Sequence, residues 1–497
     1  MTFTSISFLM FLFAVFLIYW GIPHKFRYIL LICANILFCF SFGAKALIVL
    51  LFVSTTSYVA GRLCENEGLS SSKAHICGKF VRFSLLLFVI VFPLLVFKYL
   101  DFVIYSIDKV LSKVSLVSDT HTLGLIAPIG ISFYTFESIS YVADVYNKRI
   151  SAEKNYFKLF SYISFFPSIT SGPIERADHF FNELDKEKIF NYGIAVSGLR
   201  LMLLGMVKKI CGADVLKQYV DAVFGNVYAY KGPVLIIAIL LYTYEIYLDF
   251  SGYTDMARGA ALLLGIELPV NFSAPYLSGS IKEFFGKWHI SLSTWLKDYI
   301  YIPLGGSKCG VLRKYLNLMI TFLVSGIWHG ASFTFIVWGL LHGVYQCVAD
   351  MLIRIKTCYI EKSDRDNDTK RVSQSLGLKK VFGIVVSFVL VSFAWMFFRA
   401  NSLSDAKYIV MNMFRGDNFY GQMLQMGFLT VSAYVSVILI ILLTIVYDVL
   451  IAKMDVMKKF SELNAAFRWG LYIVFGILVV VLYAHNGAGN DFIYFQF

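Results

Sequence analysis

The stretch RFSLLLFVIVFPLLVFKYLDFVIY, residues 82–105, is long and apolar enough for a helix to cross a lipid bilayer. A spanning helix needs about 20 mostly apolar residues. Comparable runs recur along the whole chain, at 5–20, 28–43, 45–61, 123–142, 157–172, 191–212, 232–250, 256–268, 315–328, 331–352, 380–398, 427–452 and 468–484. We therefore predict an all-α polytopic membrane protein with about 11 transmembrane helices, the shorter runs forming re-entrant or interfacial segments.

Composition supports the same class. Of the 497 residues, 58% are hydrophobic and 15% are charged, whereas soluble domains average about 45–50% and about 25%. The mean hydropathy is +0.70. These values exclude an intrinsically disordered chain, a fibrous repeat and a small secreted fold held by disulfides.

The net charge of +12 arises from 44 Lys and Arg against 32 Asp and Glu. The basic residues cluster in the breaks between apolar runs, at 24–27, 79–82, 208–209, 308–314, 379–380 and 458–459. This distribution indicates cytoplasmic loops and lipid headgroups as partners and no nucleic acid. Since no Lys or Arg precedes the first run, we expect a retained span with the amino terminus outside.

Residues 353–379 form the most hydrophilic stretch of the chain. We predict three regions: a membrane core at 1–352, a polar cytoplasmic loop at 353–379 and carboxy-terminal transmembrane helices at 380–497.

The eight cysteines are scattered without a C-x-x-C pair, and the sequence contains no H-E-x-x-H and no phosphate-binding loop motif. We therefore expect no disulfide framework, no metal site and no bound cofactor.

The stretch NFSAPYLSGSIKEFFGKWHISLSTWLKDYIYIPLGGSKCGVLRK, residues 271–314, is too polar to span and unusually aromatic. We predict a helix over about 280–299 that ends before Pro303 and the Gly305-Gly306 pair. Helical spacing would place five of its side chains near one face: Phe284, Trp288, Ser291, Trp295 and Asp298.

Two histidines are candidates for chemistry: His329 in SGIWHG (325–330) and His289 in KWHIS (287–291). An ionisable group at membrane depth is a functional candidate, and a neutral imidazole can accept a proton from an alcohol. The flanking glycines would admit another backbone or a slender acyl chain. The alternatives are a hydrogen-bonded structural histidine for His329 and lipid or water contact for His289. We interpret His342 as structural.

Within residues 244–258, YEIYLDFSGYTDMAR, Asp249 and Asp255 interrupt otherwise apolar sequence. Either could orient a histidine, as a carboxylate does in acyl-transfer triads. The favoured alternatives are a cap for a helix that begins near Ser251 and an ion pair between Asp255 and Arg258.

The order of several motifs resembles the membrane-bound O-acyltransferases (MBOAT), and within them the bacterial alginate O-acetylation branch. The motifs are ISFYTFESISYVADVY (131–146), FFP (165–167), SGPI (171–174), DFSGYTDMA (249–257), NF to PY (271–276), WHISLSTWLKDYIYIPLGG (288–306), GIWHGA (326–331), WG (338–339), HG (342–343) and FAWMFFRA (393–400).

The resemblance implies that His329 is the essential histidine of a buried reaction tunnel and that His289 is the second important one. Residues 271–314 would then line and cover the reaction chamber. We predict five supporting residues around the tunnel: Trp288, Trp328, Asp298, Tyr253 and Asp249.

The same resemblance implies a bacterial cytoplasmic membrane enzyme. An acetyl group would move from a cytoplasmic thioester, acetyl-CoA or an acyl carrier, toward hydroxyls of a cell-surface polysaccharide. An extracytoplasmic SGNH-type acetyltransferase would be the partner that completes the transfer. D-alanyl transfer to teichoic acids and O-acetylation of peptidoglycan stay open as alternatives. A lipid or acyl transporter predicts paired inverted repeats, which the sequence lacks, and a scaffold predicts that replacing His329 is silent.

Overall fold

The computed structural model describes residues 1–65, 73–112, 122–363, 372–416, 418–486 and 492–493. Within these ranges the chain is helical, and its only β-type pairing is an isolated bridge between Phe272 and Trp288. The predicted all-α class is therefore confirmed.

The α-helices are α1 (Ile6–Gly21), α2 (His24–Phe40), α3 (Ala44–Glu65), α4 (Lys73–Leu94), α5 (Leu100–Ser112), α6 (Ile131–Tyr146), α7 (Tyr156–Ile163), α8 (Ala177–Asp185), α9 (Tyr192–Met206), α10 (Asp214–Phe224), α11 (Pro233–Leu263), α12 (Ile281–Phe285), α13 (Ile290–Leu296), α14 (Val311–His329), α15 (Phe333–Ser363), α16 (Val372–Arg399), α17 (Leu403–Asn412), α18 (Phe419–Gln425), α19 (Val431–Lys453), α20 (Val456–Glu462) and α21 (Ala465–Asn486).

Seven helical segments of the described chain are long and apolar enough to cross a membrane. They are 44–65, 78–109, 233–263, 333–355, 379–399, 431–453 and 465–485, with α1 as a shorter apolar helix. Their number and hydropathy confirm a polytopic membrane protein. Other predicted runs form shorter helices, such as the 8-residue α7, and the count of about 11 spans stays a prediction.

The opening stretch, residues 82–105, lies within the span 78–109. Its helix does not end at Pro93, which lies inside α4. A π-helical turn follows at Leu95–Tyr99 and leads directly into α5. Because proline removes a backbone donor and crowds the preceding turn, a local change of helical hydrogen bonding next to it is an expected accommodation.

Two runs that we separated, 232–250 and 256–268, form a single helix, α11. The prediction that a helix begins near Ser251 is therefore wrong. A Cβ added to Gly252 would lie 2.8 Å from the carbonyl oxygen of Gly205. The small residue at this point thus serves a close approach between two backbones rather than a helix start.

The polar stretch 353–379 is helical at both ends, because α15 continues to Ser363 and α16 begins at Val372. Over those residues the stretch is therefore helical rather than irregular, and 364–371 lie outside the described residues. The side of the membrane on which this stretch lies stays a prediction, as does the functional division at 352 and 380.

The chain divides into two compact units. Among the described residues, the first unit holds 1–204 and 253–269, and the second holds 205–252 and 270–493. Helix α11 contributes residues to both. The candidate histidines, His289 and His329, belong to the second unit.

Candidate functional site

Helices α14 and α15 form a tight hairpin that places His329. A Cβ added to Gly326 would overlap the carbonyl oxygen of Phe335, and one added to Gly339 would overlap that of Phe322. Small residues at a helix crossing allow the backbones to approach closely, as is common in membranes. The close neighbour of Gly326 is therefore the backbone of α15. The sequence suggested that the glycines beside His329 admit either another backbone or an acyl chain, and at Gly326 it is a backbone.

His329 is the last residue of α14 and is 4% exposed. Three aromatic rings surround its imidazole. The ring of Trp328 lies 4.8 Å away between centroids, that of Trp338 4.9 Å and that of Phe398 5.0 Å. The Trp338 ring meets the imidazole almost perpendicularly, at 87°. This aromatic shell separates the imidazole from bulk water and fixes the plane of its ring.

His289 occupies a different kind of backbone. It immediately precedes α13, with φ 44° and ψ 56°, in the left-handed region that non-glycine residues rarely adopt. The helix that we predicted over 280–299 is therefore wrong. The chain instead forms α12, a turn through Gly286 and His289, α13, and a π-helical turn at Lys297–Tyr301. The five side chains grouped by helical spacing do not share one regular helix.

The imidazole of His289 is 1% exposed. Its ring lies edge-on to Phe250 at 4.7 Å and 6.2 Å from the ring of Trp328. Burial lowers the pKa of His289 to about 3, so the ring is neutral at physiological pH. The indole of Trp328 is therefore a common neighbour of the His289 and His329 imidazoles.

Trp288, directly before His289 in the same turn, packs against further aromatic rings. Its indole stacks on Phe284 at 5.5 Å and contacts Phe272 and Trp395, each at 5.0 Å. Trp395 stacks in turn on Trp338, at 5.7 Å and 23°. The two predicted tryptophans, Trp288 and Trp328, thus belong to the aromatic cluster around the two histidines.

His342 is a third histidine of this cluster, which sequence reasoning treated as structural. It is fully buried, with Trp338 at 4.8 Å and Phe285 at 4.9 Å. Neither of its ring nitrogens has a hydrogen-bond partner among the described residues. The spacing of 13 residues between His329 and His342 does not predict this proximity. It arises because the Trp338 ring contacts both imidazoles in the α14–α15 hairpin.

Asp249 is 1% exposed and belongs to a buried ionic cluster. The Nζ atom of Lys209 lies 2.7 Å from Asp249 Oδ1 and 2.8 Å from Asp214 Oδ1. The amide of Ile493 donates to Asp249 Oδ2 at 2.9 Å, and the Phe492 ring lies 4.7 Å from Lys209 Nζ. These contacts assign Asp249 an ion-pairing role; its predicted support of the reaction chamber stays a prediction.

Lys209 is the residue whose environment the sequence predicted least well. We placed it among the basic residues that mark cytoplasmic loops and lipid headgroups, yet it is 1% exposed. Although burial by itself lowers the pKa of a lysine, the carboxylates of Asp249 and Asp214 raise the pKa of Lys209 above its usual value. Its only sequence signal was the presence of acidic residues inside apolar runs, which need a buried cation as partner.

The other two predicted supporting residues are Tyr253 and Asp298. Tyr253 belongs to the first unit, where its ring stacks on Phe3 at 4.8 Å and its hydroxyl contacts Thr170. Asp298 lies partly exposed in the π-helical turn after α13. The predicted pair between Asp255 and Arg258 is present at 3.9 Å. Among the described residues, no group of three or more His, Cys, Asp or Glu side chains is arranged to hold a metal ion.

Comparison with known proteins adds an independent observation. The sequence model of the membrane-bound O-acyltransferase family matches residues 147–365. The probable alginate O-acetylase AlgI of Pseudomonas aeruginosa is 34% identical over 410 residues, which cover 82% of this chain and 73% of that protein. The peptidoglycan O-acetyltransferase of Helicobacter pylori is 32% identical, covering 64% of this chain and 61% of its own length. The teichoic acid D-alanyltransferase of Bacillus subtilis is 27% identical, covering 55% and 69%.

Proposed function

Because the chain belongs to the membrane-bound O-acyltransferase family, we propose that it transfers acetyl groups toward the hydroxyls of a cell-surface polysaccharide. The donor is a thioester presented at the cytoplasmic face, either acetyl-CoA or an acyl carrier. An extracytoplasmic SGNH-type acetyltransferase completes the transfer. The enzyme works in the bacterial cytoplasmic membrane, with its amino terminus outside.

One observation carries this proposal: two buried histidines, His329 and His289, have the ring of Trp328 as a common neighbour, at 4.8 Å and 6.2 Å, within a cluster of aromatic side chains. Acyl transfer from a thioester competes with hydrolysis, because water is also a nucleophile. A site that excludes water protects the thioester and strengthens electrostatic interactions with the reacting groups. The burial of both imidazoles suits this requirement.

The chemistry assigns different tasks to the two histidines. His329 accepts the proton of the acceptor hydroxyl as its oxygen attacks the thioester carbonyl carbon. The carbon–sulfur bond then breaks, and the proton passes from His329 to the leaving thiolate. His289, which burial keeps neutral, donates or accepts a hydrogen bond that positions the acceptor or stabilises the developing oxyanion.

The choice of acetyl and polysaccharide rests on the relatives. The alginate O-acetylase shares similarity over 82% of this chain, whereas the teichoic acid D-alanyltransferase shares it over 55% at lower identity. Peptidoglycan is the second candidate acceptor, because a peptidoglycan O-acetyltransferase is 32% identical to this chain. Transport without chemistry and a purely structural role are set aside by membership of an acyltransferase family.

The test measures ester-linked acetate and ester-linked alanine separately in the polysaccharide, peptidoglycan and teichoic acid fractions of cells. Cells carrying the native protein are compared with cells carrying His329→Ala at equal membrane abundance. The control is His485→Ala, which removes an exposed histidine near the end of α21. A general base contributes about 10²–10⁴-fold in rate, so we expect acetate to fall by at least about 100-fold in one fraction.

The fraction that loses acetate identifies the acceptor. Loss confined to polysaccharide supports the main proposal, and loss confined to peptidoglycan supports the second. Loss of alanine instead of acetate would replace acetylation by D-alanylation. Unchanged acetate and alanine in His329→Ala cells would remove His329 as the general base of these reactions.

A further inference from the structure

We infer that Asn271 is a positioning residue for acyl transfer, because it holds the left-handed turn on which His289 lies. This inference rests on the proposed role of His289 in the reaction. Asn271 itself is 1% exposed and lies in the second unit, as does His289.

Asn271 binds the two backbone amides that follow His289. The N–H of Ile290 donates to the main-chain oxygen of Asn271 at 3.1 Å, and the N–H of Ser291 donates to its Oδ1 atom at 3.1 Å. The first amides of a helix have no partner within the helix itself. Asn271, which lies 20 positions before Ser291, therefore acts as the cap of α13 in place of the residue that directly precedes the helix.

The usual cap position is occupied by His289, whose side chain makes no capping hydrogen bond to α13. Its φ of 44° is a conformation that costs energy for a residue with a Cβ. The turn is held on its other side by the Phe272–Trp288 bridge and by the N–H of Ser273, which donates to the Lys287 oxygen at 3.1 Å. The strain persists because these contacts overdetermine the backbone.

The identity of the strained residue points to function. Glycine adopts this backbone conformation without cost, and nothing in the fold of a turn requires an imidazole there. Among the described non-glycine residues with positive φ, which are Lys148, Ala274, His289 and Asn418, only His289 is both buried and ionisable. Strained residues of this kind cluster at active sites, where the surrounding contacts fix a reacting group.

The test replaces Asn271 in two ways. Asn271→Leu keeps the branching at Cγ and removes the oxygen that accepts the Ser291 N–H, whereas Asn271→Asp keeps an acceptor oxygen there. Cells fed [14C]acetate report the initial rate of base-labile acetyl ester formation per folded chain, whichever thioester is the donor. We expect Asn271→Leu to lower this rate about 10–100-fold, since a displacement of about 1 Å at a reacting group costs about 10²-fold. Asn271→Asp should retain the rate within about fivefold.

A matched control separates positioning from the general cost of losing a buried asparagine. Asn35, in the first unit, is equally buried, and its Oδ1 accepts the N–H of Phe166 at 3.0 Å. Asn35→Leu removes the same kind of hydrogen bond, and we expect the rate per folded chain to stay within about threefold of native. If Asn271→Leu does not fold, Asn271→Ser takes its place, because its hydroxyl is too short to reach the Oδ1 position.

A double replacement shows whether Asn271 acts through His289. If it does, adding Asn271→Leu to His289→Gln lowers the residual rate by less than about threefold, because the group being positioned is already gone. Independent, multiplicative losses would overturn the inference, as would an Asn271→Asp rate as low as that of Asn271→Leu. If His289→Gln and His329→Ala both leave the rate unchanged, the proposed function has failed; if they lower it while Asn271→Leu does not, only the inference about Asn271 has failed.

Discussion

The two candidate histidines are placed by opposite kinds of backbone. His329 ends a regular helix, and its position follows from the crossing of α14 and α15 at Gly326 and Gly339. His289 sits in an isolated left-handed turn between two short helices, and its position follows from hydrogen bonds to Asn271. One imidazole is fixed by packing between backbones and the other by polar contacts across the chain.

The difference shows what fixes the position of each imidazole in this protein. A helix hairpin is stiff because each turn is hydrogen-bonded internally, so small residues at one crossing set the place of a side chain several residues away. A broken segment has no such internal order and needs an outside partner for each free amide. We therefore expect the hairpin to respond to changes in volume and the turn to respond to the loss of single hydrogen bonds.

The largest effect is expected from Gly339→Val. An added side chain would overlap the Phe322 carbonyl oxygen, and a backbone atom in a helix cannot move aside without separating α14 from α15. We expect loss of folded protein, measured as the monodisperse fraction in detergent, and of acyl transfer with it. Gly476→Val on α21 is the control, since nothing lies within 4 Å of a Cβ added there; equal damage by both replacements would contradict the role of the crossing.

The next largest effect is expected when the two imidazoles themselves are removed. His329→Ala should lower the rate of acyl ester formation by about 10²–10⁴-fold, the contribution of a general base. His289→Ala should lower it less, by about 10–10³-fold, as removal of one positioning or oxyanion-stabilising group does. Both rates are measured per folded chain in membranes of equal abundance. A larger loss for His289→Ala would exchange the two assigned tasks.

The same contrast explains how far the sequence predicted the molecule. The helical class, the apolar spans and the burial of His329 followed from hydropathy and motif spacing, because regular helices express their environment as a periodic pattern. The turn at His289 did not, since its conformation depends on Asn271 and the bridge to Phe272, contacts between positions that local periodicity treats separately. A helical pattern over 280–299 was locally plausible and was overridden by these tertiary contacts.

Lys209 illustrates a second limit. A lysine pair between apolar runs resembles a cytoplasmic loop, and only the positions of Asp214 and Asp249 in space make Lys209 a buried cation. Likewise, the residues of 249–257 belong partly to each of the two units, so a single motif supplied Asp249 to one and Tyr253 to the other.

Lys209→Met extends the comparison to a buried ionic cluster of the second unit. Removing the cation leaves two buried carboxylates without their neutralising charge, and breaking a buried ion pair typically costs about 3–5 kcal/mol. We expect a clear fall in the thermal midpoint of the protein in detergent. Lys459→Met removes an exposed pair with Glu462, at 2.9 Å, and such surface pairs contribute about 0–1 kcal/mol. Similar midpoints for the two variants would mean that the buried cluster contributes no more than a surface pair.

The smallest effect concerns pH and tests how completely the turn is sealed. Burial lowers the pKa of His289 from 6.5 to about 3, so between these values the unfolded chain binds a proton that the folded chain does not. The folded state is therefore most stable above pH 6.5 and loses stability as the pH falls, by about 2 kcal/mol from this residue at pH 5. His289→Gln should reduce the difference between thermal midpoints at pH 7.5 and pH 5, whereas His485→Gln, at an exposed position, should leave it unchanged. If the difference between the midpoints at pH 7.5 and pH 5 is as large in His289→Gln as in the native protein, water reaches the His289 turn. Only His329, at the end of the α14–α15 hairpin, would then be an imidazole shielded from water.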